Sequence, residues 1–417
     1  MEIQNEYIIS IVIPTKNRQE YAFKTIKQIL LSPEPDIQVV IQDNSDDNKL
    51  EEMLKSLMFD KRLKYNYSAG ILSFVDNFAV AVSHSDGEYI CIIGDDDGIN
   101  HEIVELSRWA KENNIDAIKP AVNTVYIWPD TGIIANDKKA NSGYMTLGKV
   151  SSNTKFVETK PELIKLLQNG CQKYLSLELV KLYHGIVRRT KIEIVKEKTG
   201  KYFGGLSPDI YGAVSLSITI PKVLCIDYPL TIAGVCKKSG SADSVTGKHI
   251  GKYENAPHLK GHSNYEWSPE VPKFYSVETI WADSSLAAIK DMRHQNMLNE
   301  YKEESLVAYC IYRHAEYSGL VKEHYFRRMK ELQMPQFKAV INLYKGLLMG
   351  PGLDFAKRAI NKIARKKGDF IKLYGINDII HSHEELLKYL KENDLSIQKV
   401  IQNIENERQG SIKRTWK

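Results

Sequence analysis

The chain has 417 residues, a length that favours two or three domains. Its hydrophobic fraction of 43% and charged fraction of 26% are ordinary for a globular protein, which excludes collagen-like and wholly disordered chains. The formal net charge of +5 is too small to indicate nucleic-acid binding. No apolar run approaches the ~18 residues that span a bilayer, and no signal-peptide pattern opens the chain, so we expect a cytoplasmic protein.

Strand-like and helix-like segments alternate in the first third of the chain. Short β-branched runs predict strands at 7–13, 37–41, 63–67, 88–93 and 116–121. Helical periodicity between them predicts helices at 18–31, 51–57, 73–83 and 101–113. This alternation is typical of a doubly wound α/β sheet, in which ligands bind beyond the carboxyl ends of the strands.

The pattern changes after residue 122. Turn signals predict a hairpin-rich insertion from 122 to 160, and the following segments include a helix at 209–217 and one or two strands between 224 and 233. The polar stretch 237–264 is typical of a long functional loop or lid. After Pro272 the pattern is almost entirely helical. We therefore predict an α/β domain at residues 1–255 and a helical domain at residues 256–417.

Three adjacent carboxylates, Asp95, Asp96 and Asp97, follow the fourth predicted strand. Carboxylates this close repel one another, so a hard divalent cation or several hydrogen-bond donors must neutralise them. The alternative is an acidic turn that caps the next helix. Their place at the end of a buried strand favours the ligand site.

Two other strand ends carry polar residues. Asp43 ends the second strand, where a carboxylate can accept hydrogen bonds from a ribose or a base, although capping of the next helix is an alternative role. The segment Pro14-Thr15-Lys16-Asn17-Arg18 opens the first helix, whose free N–H groups could receive a base edge or a phosphate. Neither feature is specific on its own.

Together, the Pro-Thr-x-Asn-Arg segment, the second-strand Asp and the acidic triplet resemble the family-two glycosyltransferases of the GT-A fold, over about residues 6–240. The resemblance implies a Rossmann-like, mostly parallel sheet flanked by helices. It implies binding of a nucleotide-sugar donor by Pro14, Thr15, Asn17, Arg18, Asp43, Asp95 and Asp96, and of a metal by Asp97. Family members often carry an Arg-Asn pair before the triplet. This sequence has Asp76-Asn77 there, so Asn77 remains a donor-binding candidate and the arginine is missing.

The chemistry that the resemblance implies needs a base. An acceptor hydroxyl joins the anomeric carbon while a nucleoside diphosphate leaves, and a carboxylate that takes the proton makes the alcohol a better nucleophile. Inverting members of the family have an acidic base at a helix start after the triplet, and Asp209, directly after Pro208, matches that place. Glu178 is the alternative base. Stabilisation of the helix dipole is the alternative role for Asp209.

The polar segment after the last predicted strand suits a loop that closes over a diphosphate, because it is rich in lysines, hydroxyls and glycines. Similar enzymes place a histidine there as an extra metal ligand, and His249 is the best match; a solvent-exposed side chain is the alternative. The expected cofactor is a divalent metal, Mn²⁺ or Mg²⁺, and an imidazole ligand favours Mn²⁺.

The C-terminal part contains a basic amphipathic stretch at 355–367, which follows the apolar segment 341–349. This pattern predicts a contact of residues 339–367 with an anionic membrane surface, where a lipid-linked acceptor would lie. A solvated face on a helix bundle is the alternative interpretation.

We expect a metal-dependent, inverting glycosyltransferase that moves a sugar from a nucleoside-diphosphate sugar, with a UDP-sugar favoured, to a glycan or lipid-linked glycan. Bacterial surface-polysaccharide synthesis is the expected setting, on the resemblance alone. One alternative is a nucleotidyltransferase, for which Pro14–Arg18 lacks the usual glycines. The other is a catalytically inactive scaffold or peripheral membrane protein, against which the intact triplet and Asp209 argue. No nucleic-acid partner is expected, and a homo-oligomer is left open.

Overall fold

The computed structural model describes residues 6–129, 131, 142–237, 250–262, 265–354 and 370–415, with the backbone alone for residues 409–415. The strands are β1 (Tyr7–Thr15), β2 (Ile37–Asp43), β3 (Leu63–Tyr67), β4 (Gly87–Ile92), β5 (Gly98–Ile99), β6 (Ala117–Pro120), β7 (Thr124–Ile127), β8 (Gly143–Gly148), β9 (Thr154–Glu158), β10 (Ile186–Arg188), β11 (Lys222–Ile226), β12 (Thr231–Val235), β13 (Ile250–Gly251), β14 (Tyr275–Ser276) and β15 (Phe370–Ile376). The helices are α1 (Gln19–Leu30), α2 (Lys49–Leu54), α3 (Phe74–Ser83), α4 (Ile103–Glu112), α5 (Thr159–Gln168), α6 (Arg189–Thr199), α7 (Pro208–Thr219), α8 (Val277–Asp291), α9 (Glu303–Arg313), α10 (Ser318–Glu331), α11 (Gln336–Leu347), α12 (Ile379–Glu392) and α13 (Ile397–Thr415).

An eight-stranded sheet forms the centre of the molecule, in the order β3-β2-β1-β4-β10-β6-β11-β9. Strands β1 to β4 pair in parallel, as do β6 and β11, whereas β10 and β9 run against their neighbours. The register sets Thr15 beside Asp43 and Val12 beside Ile92, so β1, β2 and β4 end at the same edge. The predicted α/β fold with a mostly parallel sheet is confirmed.

The residues of β1 alternate between two hydrophobic cores. Ile9, Ile11 and Ile13 pack in the core that contains α1 and α4. Val12 faces the opposite core, to which α3, α5 and α7 contribute. Because the sheet is covered on both faces, its strands read as nearly continuous apolar runs.

A second sheet, ordered β15-β8-β7-β12-β5, lies next to the acidic triplet. Strand β5 follows the triplet directly and pairs with β12. Strands β7 and β8 pair antiparallel, which agrees with the hairpin expected there. Strand β15 comes from the C-terminal region and pairs antiparallel with β8. The helical pattern assigned to that region missed this strand.

The C-terminal region is otherwise helical, as predicted, and its helices contribute to both cores. Helices α8 to α11 join the core behind α7, whereas Ile379, Leu386 and Ile397 of α12 and α13 join the core that contains α1. Packing therefore continues across residue 255, and the domain boundary predicted there stays a prediction. Within the described ranges, none of the helices combines the length and the apolar composition needed to cross a membrane.

Candidate active site

The loop between β1 and α1 is tied to the acidic triplet at the end of β4. The Thr15 hydroxyl donates to Asp95 Oδ2 at 2.5 Å. Arg18 grips the same carboxylate with two nitrogens, Nε to Oδ2 at 3.0 Å and Nη2 to Oδ1 at 2.7 Å, and its Nη1 lies 3.6 Å from Asp96 Oδ1. Three residues predicted to bind the donor are thus in direct contact with one another, and Asp95 holds the loop in place.

Asn17 joins this loop to the turn that follows β2. Its φ of +57° lies in the left-handed region, which asparagine tolerates better than most residues. The Asn17 backbone N–H donates to Ser45 Oγ at 2.8 Å, and its side-chain amide exchanges two hydrogen bonds with Asp46, each of 2.9 Å. Asn17 therefore fixes the separation of two strand ends.

Asp43 is fully buried at the end of β2. Its Oδ1 accepts the Ser45 backbone N–H at 2.8 Å, and its Oδ2 accepts the Tyr65 hydroxyl at 3.0 Å. Both carboxylate oxygens thus shape the turn after β2. A direct role of Asp43 toward the donor stays a prediction, as does that of Pro14, which is paired with Gln42 in the sheet.

Asn77 lies in the first turns of α3, beneath the same loop. Its Nδ2 donates to the Thr15 carbonyl at 3.3 Å. Its Oδ1 is buried and accepts no hydrogen bond from any part of the chain that the structure describes. A buried acceptor of this kind suits a ligand N–H or O–H, because leaving it unsatisfied is costly.

Asp97 accepts three hydrogen bonds, two of them from distant parts of the chain. The donors are the Gly94 N–H at 2.6 Å, the Tyr183 hydroxyl at 2.9 Å and the Gly234 N–H at 2.6 Å. The ring of His184, Nε2, lies 3.4 Å from the same carboxylate. Strand β12 and the segment before β10 therefore lock the third carboxylate of the triplet.

Glycine is required where β12 crosses the triplet. A Cβ on Gly234 would lie 1.8 Å from the carbonyl oxygen of Asp96, a distance that no side chain tolerates. The neighbouring Cys236 N–H donates to Asp96 Oδ2 at 3.1 Å, and the Trp128 indole donates to the Asp96 carbonyl at 3.0 Å. Asp96 is therefore held through both its carboxylate and its backbone carbonyl.

The triplet carries more negative charge than its surroundings neutralise. All three side chains are nearly inaccessible to solvent, and Arg18 is the cationic side chain that contacts them within the described ranges. Burial raises the pKa of Asp96 to about 7 against the opposing charge of Arg18, and Asp97 and Asp95 add to the shift. Burial also raises the pKa of Asp95. A second cation would stabilise the ionised form of this cluster.

The donor set suits a hard divalent cation that brings other ligands with it. In the described part of the chain, no three His, Cys, Asp or Glu side chains are arranged to hold a metal. Asp96 Oδ1 and Asp97 Oδ1 each have acceptor capacity left among the described residues, since the first lies 3.6 Å from Arg18 and the second accepts the Gly234 N–H. These carboxylates fit Mg²⁺ or Mn²⁺ if a diphosphate supplies further oxygens. His249, the other predicted ligand, lies outside the described residues.

Asp209 lies in the first turn of α7, as the sequence predicts, with Pro208 as the first helical residue. The loop before it is clamped to α8, because the Leu206 and Ser207 N–H groups both donate to Ser284 Oγ at 3.0 Å. Burial raises the pKa of Asp209 to about 6; the charge of Lys181 opposes the shift and that of Asp97 adds to it.

Glu178, the alternative base, lies in a different environment. It forms ion pairs with Lys119 and, at 3.1 Å, with Lys155. Burial alone would raise its pKa, but the hydrogen bonds and charges of the two lysines outweigh it, and the pKa is lowered. Glu178 lines a cavity of about 400 Å³ at the carboxyl ends of β6 and β11. A carboxylate that two lysines hold in its ionised form is a weak base.

Several residues of the site were not singled out from the sequence. Tyr183, Gly234 and the Cys236 N–H contact the triplet, and the Thr25 hydroxyl lies 2.6 Å from the Asp97 carbonyl. These contacts join residues that are far apart along the chain. Strand β12, which contains Gly234 and is followed by Cys236, offers no local signal of its partner.

Comparisons with known proteins find similarity in the first part of the chain. Residues 10–128 match the family model described as glycosyl transferase family 2. Uncharacterized glycosyltransferases of Rickettsia conorii and Rickettsia bellii are each 25% identical to this chain, over 118 and 116 residues. Each alignment covers 27% of this chain but only 19% and 16% of those proteins, so the chain matches less than a fifth of their length.

Solved structures of S. aureus TarS are also similar. The form in complex with UDP-GlcNAc has a TM-score of 0.41 and 14% identity, over 81% of this chain and 79% of that one. The form in complex with UDP has a TM-score of 0.37 and 14% identity, over 54% and 60%. The family resemblance predicted from the sequence is confirmed by the family model, which matches residues 10–128.

Proposed function

We propose that this protein is an inverting glycosyltransferase that moves a sugar from a nucleoside-diphosphate sugar to a hydroxyl of a glycan or lipid-linked glycan. The observation that carries the proposal is the acidic triplet, paired with Arg18 at the carboxyl edge of the sheet. Asp209, in the first turn of α7, is the candidate base, and the charge of Asp97 contributes to its raised pKa.

The donor is proposed to bind over the carboxyl ends of β1, β2 and β4. The unpartnered Oδ1 of Asn77 would accept an N–H from a base, and the N-terminus of α1 supplies N–H groups near it. UDP is the proposed nucleotide; UDP and UDP-GlcNAc are the ligands in the TarS complexes. The sugar is unassigned.

A divalent metal, Mn²⁺ or Mg²⁺, is proposed to be held by Asp96 and Asp97. When bound, it would supply positive charge for the diphosphate that leaves. The support is the excess of buried negative charge at the triplet. The assignment of His249 as a further ligand and a cytoplasmic location both stay predictions.

Asp209 is proposed to take the proton of the acceptor hydroxyl. Its pKa of about 6 leaves it ionised at neutral pH yet basic enough to accept a proton, which is the range that a general base needs. Glu178 is less suited, because two lysines lower its pKa.

The experiment that tests the proposal compares Asp209→Asn with Glu178→Gln. A hydrolysis screen across UDP-, GDP-, CMP- and dTDP-sugars first identifies the donor. We expect Asp209→Asn to lower turnover of that donor by ~10²–10⁴ and to leave nucleoside-diphosphate binding unchanged in calorimetry.

The matched control, Glu178→Gln, should retain most of its turnover. If Asp209→Asn turns over normally and Glu178→Gln is inactive, the base is Glu178. If NMR of a transfer product shows a retained anomeric configuration, direct displacement is wrong. Absence of turnover and of nucleotide binding across the whole panel would overturn the transferase proposal itself.

A further inference from the structure

The outward face of α11 and of the turn after it is apolar. Phe337, Ile341, Tyr344 and Leu348 are exposed to 70%, 48%, 64% and 70%. Met349 continues the surface at 68%. The outer face of a helix in a globular protein is normally polar, and a contiguous exposed apolar surface marks an interaction site.

The inner face of α11 shows why these side chains point outward. Ala339, Leu343 and Gly346 are buried, and a Cβ on Gly346 would lie 2.6 Å from the Glu304 carbonyl oxygen of α9. The Tyr325 hydroxyl of α10 also donates to the Ala339 carbonyl at 3.1 Å. Close packing against two helices fixes the rotation of α11.

Helical geometry separates the two faces cleanly. At about 100° per residue, positions 337, 341, 344 and 348 fall within an arc of roughly 60°, and positions 339, 343 and 346 lie on the opposite side. Lys338 and Lys345 both fall on one flank of the apolar arc and are exposed. Long lysine stems at such a flank can follow an apolar surface while the ammonium group reaches phosphate level.

The segment carries no negative charge. From Leu332 to Leu353 the sequence contains neither Asp nor Glu. After Asp354 the sequence adds six cations, Lys357, Arg358, Lys362, Arg365, Lys366 and Lys367. Lys338 and Lys345 give one flank of the apolar face a positive charge, which complements a membrane surface that is apolar inside and anionic at its headgroups.

We propose that the apolar face of α11, formed by Phe337, Ile341, Tyr344, Leu348 and Met349, inserts into the interfacial layer of a membrane rich in anionic lipid. Membrane affinity of this type combines buried apolar area with attraction to acidic headgroups. A second copy of the chain fits less well, because two such faces brought together would oppose like charges. The proposal does not depend on the transferase activity.

The test is vesicle flotation with the full chain. Vesicles of phosphatidylcholine with roughly 30% phosphatidylglycerol should carry the protein upward, and pure phosphatidylcholine should carry much less. Raising NaCl to about 0.5 M should weaken binding about tenfold, because salt screens the headgroup attraction. The triple variant Phe337→Ser/Ile341→Ser/Leu348→Ser should lower the partition coefficient about 100-fold.

The matched control is Leu31→Ser/Phe59→Ser, which removes two apolar side chains, 57% and 84% exposed, at the end of α1 and after α2. It should float like wild type, and circular dichroism should show both variants folded. Wild-type protein that stays at the bottom of the gradient with anionic vesicles overturns the proposal. A triple variant that floats like wild type also overturns it. So does a triple variant that floats like wild type but changes from an oligomer to a monomer in sedimentation velocity, because the face would then be an interface between copies of the chain.

Discussion

Arg18 and Asp95 form a two-pronged ion pair that joins the start of α1 to the end of β4, with nitrogen–oxygen distances of 2.7 and 3.0 Å. Asp95 is fully buried, so the pair is shielded from water and salt. Because the guanidinium occupies both oxygens of Asp95, the other two carboxylates of the triplet are the ones left to meet a ligand. Arg18 thus makes the environment of Asp95 different from that of Asp96 and Asp97.

Removing Arg18 should expose this dependence. We expect Arg18→Met to lower the free energy of unfolding by about 3 kcal/mol, because a buried carboxylate loses its partner. Urea denaturation measures the loss. The double variant Arg18→Met/Asp95→Asn should be more stable than Arg18→Met, since the uncompensated charge is then gone. A double variant that is less stable than the single one would mean that Asp95 is not the group left unpaired.

Gly234 should tolerate no side chain. We expect Gly234→Ala to cost about 3 kcal/mol of stability and to abolish nucleotide binding, because its Cβ would push against the Asp96 carbonyl. Gly319→Ala is the matched control, since nothing lies within 4 Å of a Cβ on Gly319 in α10. It should be neutral or stabilise by up to about 1 kcal/mol. Equal thermal stabilities for the two variants would contradict the crossing of β12 over the triplet.

The pH dependence of turnover should follow Asp209. A base must be deprotonated to act, so the rate should be low at pH values below about 6 and should rise as the pH increases through that value. This follows from the raised pKa of the Asp209 carboxyl. Lys181 favours the ionised form of Asp209, so Lys181→Met should raise the pKa of Asp209 further and move the rising limb toward alkaline pH. Initial rates across a pH series measure the position of the rising limb in the wild type and in Lys181→Met.

An exposed lysine provides the control for that series. Lys222→Met, at the start of β11, should leave the profile unchanged. A rising limb that stays in place in Lys181→Met would exclude Asp209 as the titrating base or Lys181 as its neighbour. Loss of rate at every pH without a shift would indicate a structural effect of the lysine, whose ammonium lies 4.7 Å from the ring centre of Tyr174.

Chelation tests the proposed metal. EDTA should abolish the thermal stabilisation that UDP gives, and Mn²⁺ in excess should restore it. Asp97→Ala should abolish the same stabilisation, and excess Mn²⁺ should not restore it. Tyr183→Phe is the informative comparison, because it removes one donor to Asp97 while keeping the carboxylate. Full stabilisation by UDP in EDTA would remove the metal from the proposal.

The sequence predicts those parts of the site whose residues lie close together along the chain. The triplet follows a β-branched strand and Asp209 follows a proline, so both places can be found from local patterns, and the structure has them at a strand end and a helix start. Tyr183 and Gly234 contact Asp97 from 86 and 137 residues away. Pairing over such distances depends on how β10 and β12 enter their sheets, which no local pattern contains.

Strand β15 was missed for a related reason. It lies at the edge of the second sheet, and Phe370 and Ile371 remain 63% and 45% exposed. An edge strand that is only partly covered lacks the continuous apolar sequence from which β1 and β4 were predicted. Only its partner β8, more than 200 residues earlier, specifies its place.

The pairing of β15 with β8 also orders events during synthesis. Helix α12 follows β15, and its Ile379 packs against Gly98, the residue after the triplet. A Cβ on Gly98 would lie 2.7 Å from Ile379 Cγ1. A ribosome makes this wall of the site about 280 residues after the triplet itself, although domains usually fold as they emerge. One side of the acidic triplet therefore stays uncovered in the nascent chain until β15 and α12 have been translated.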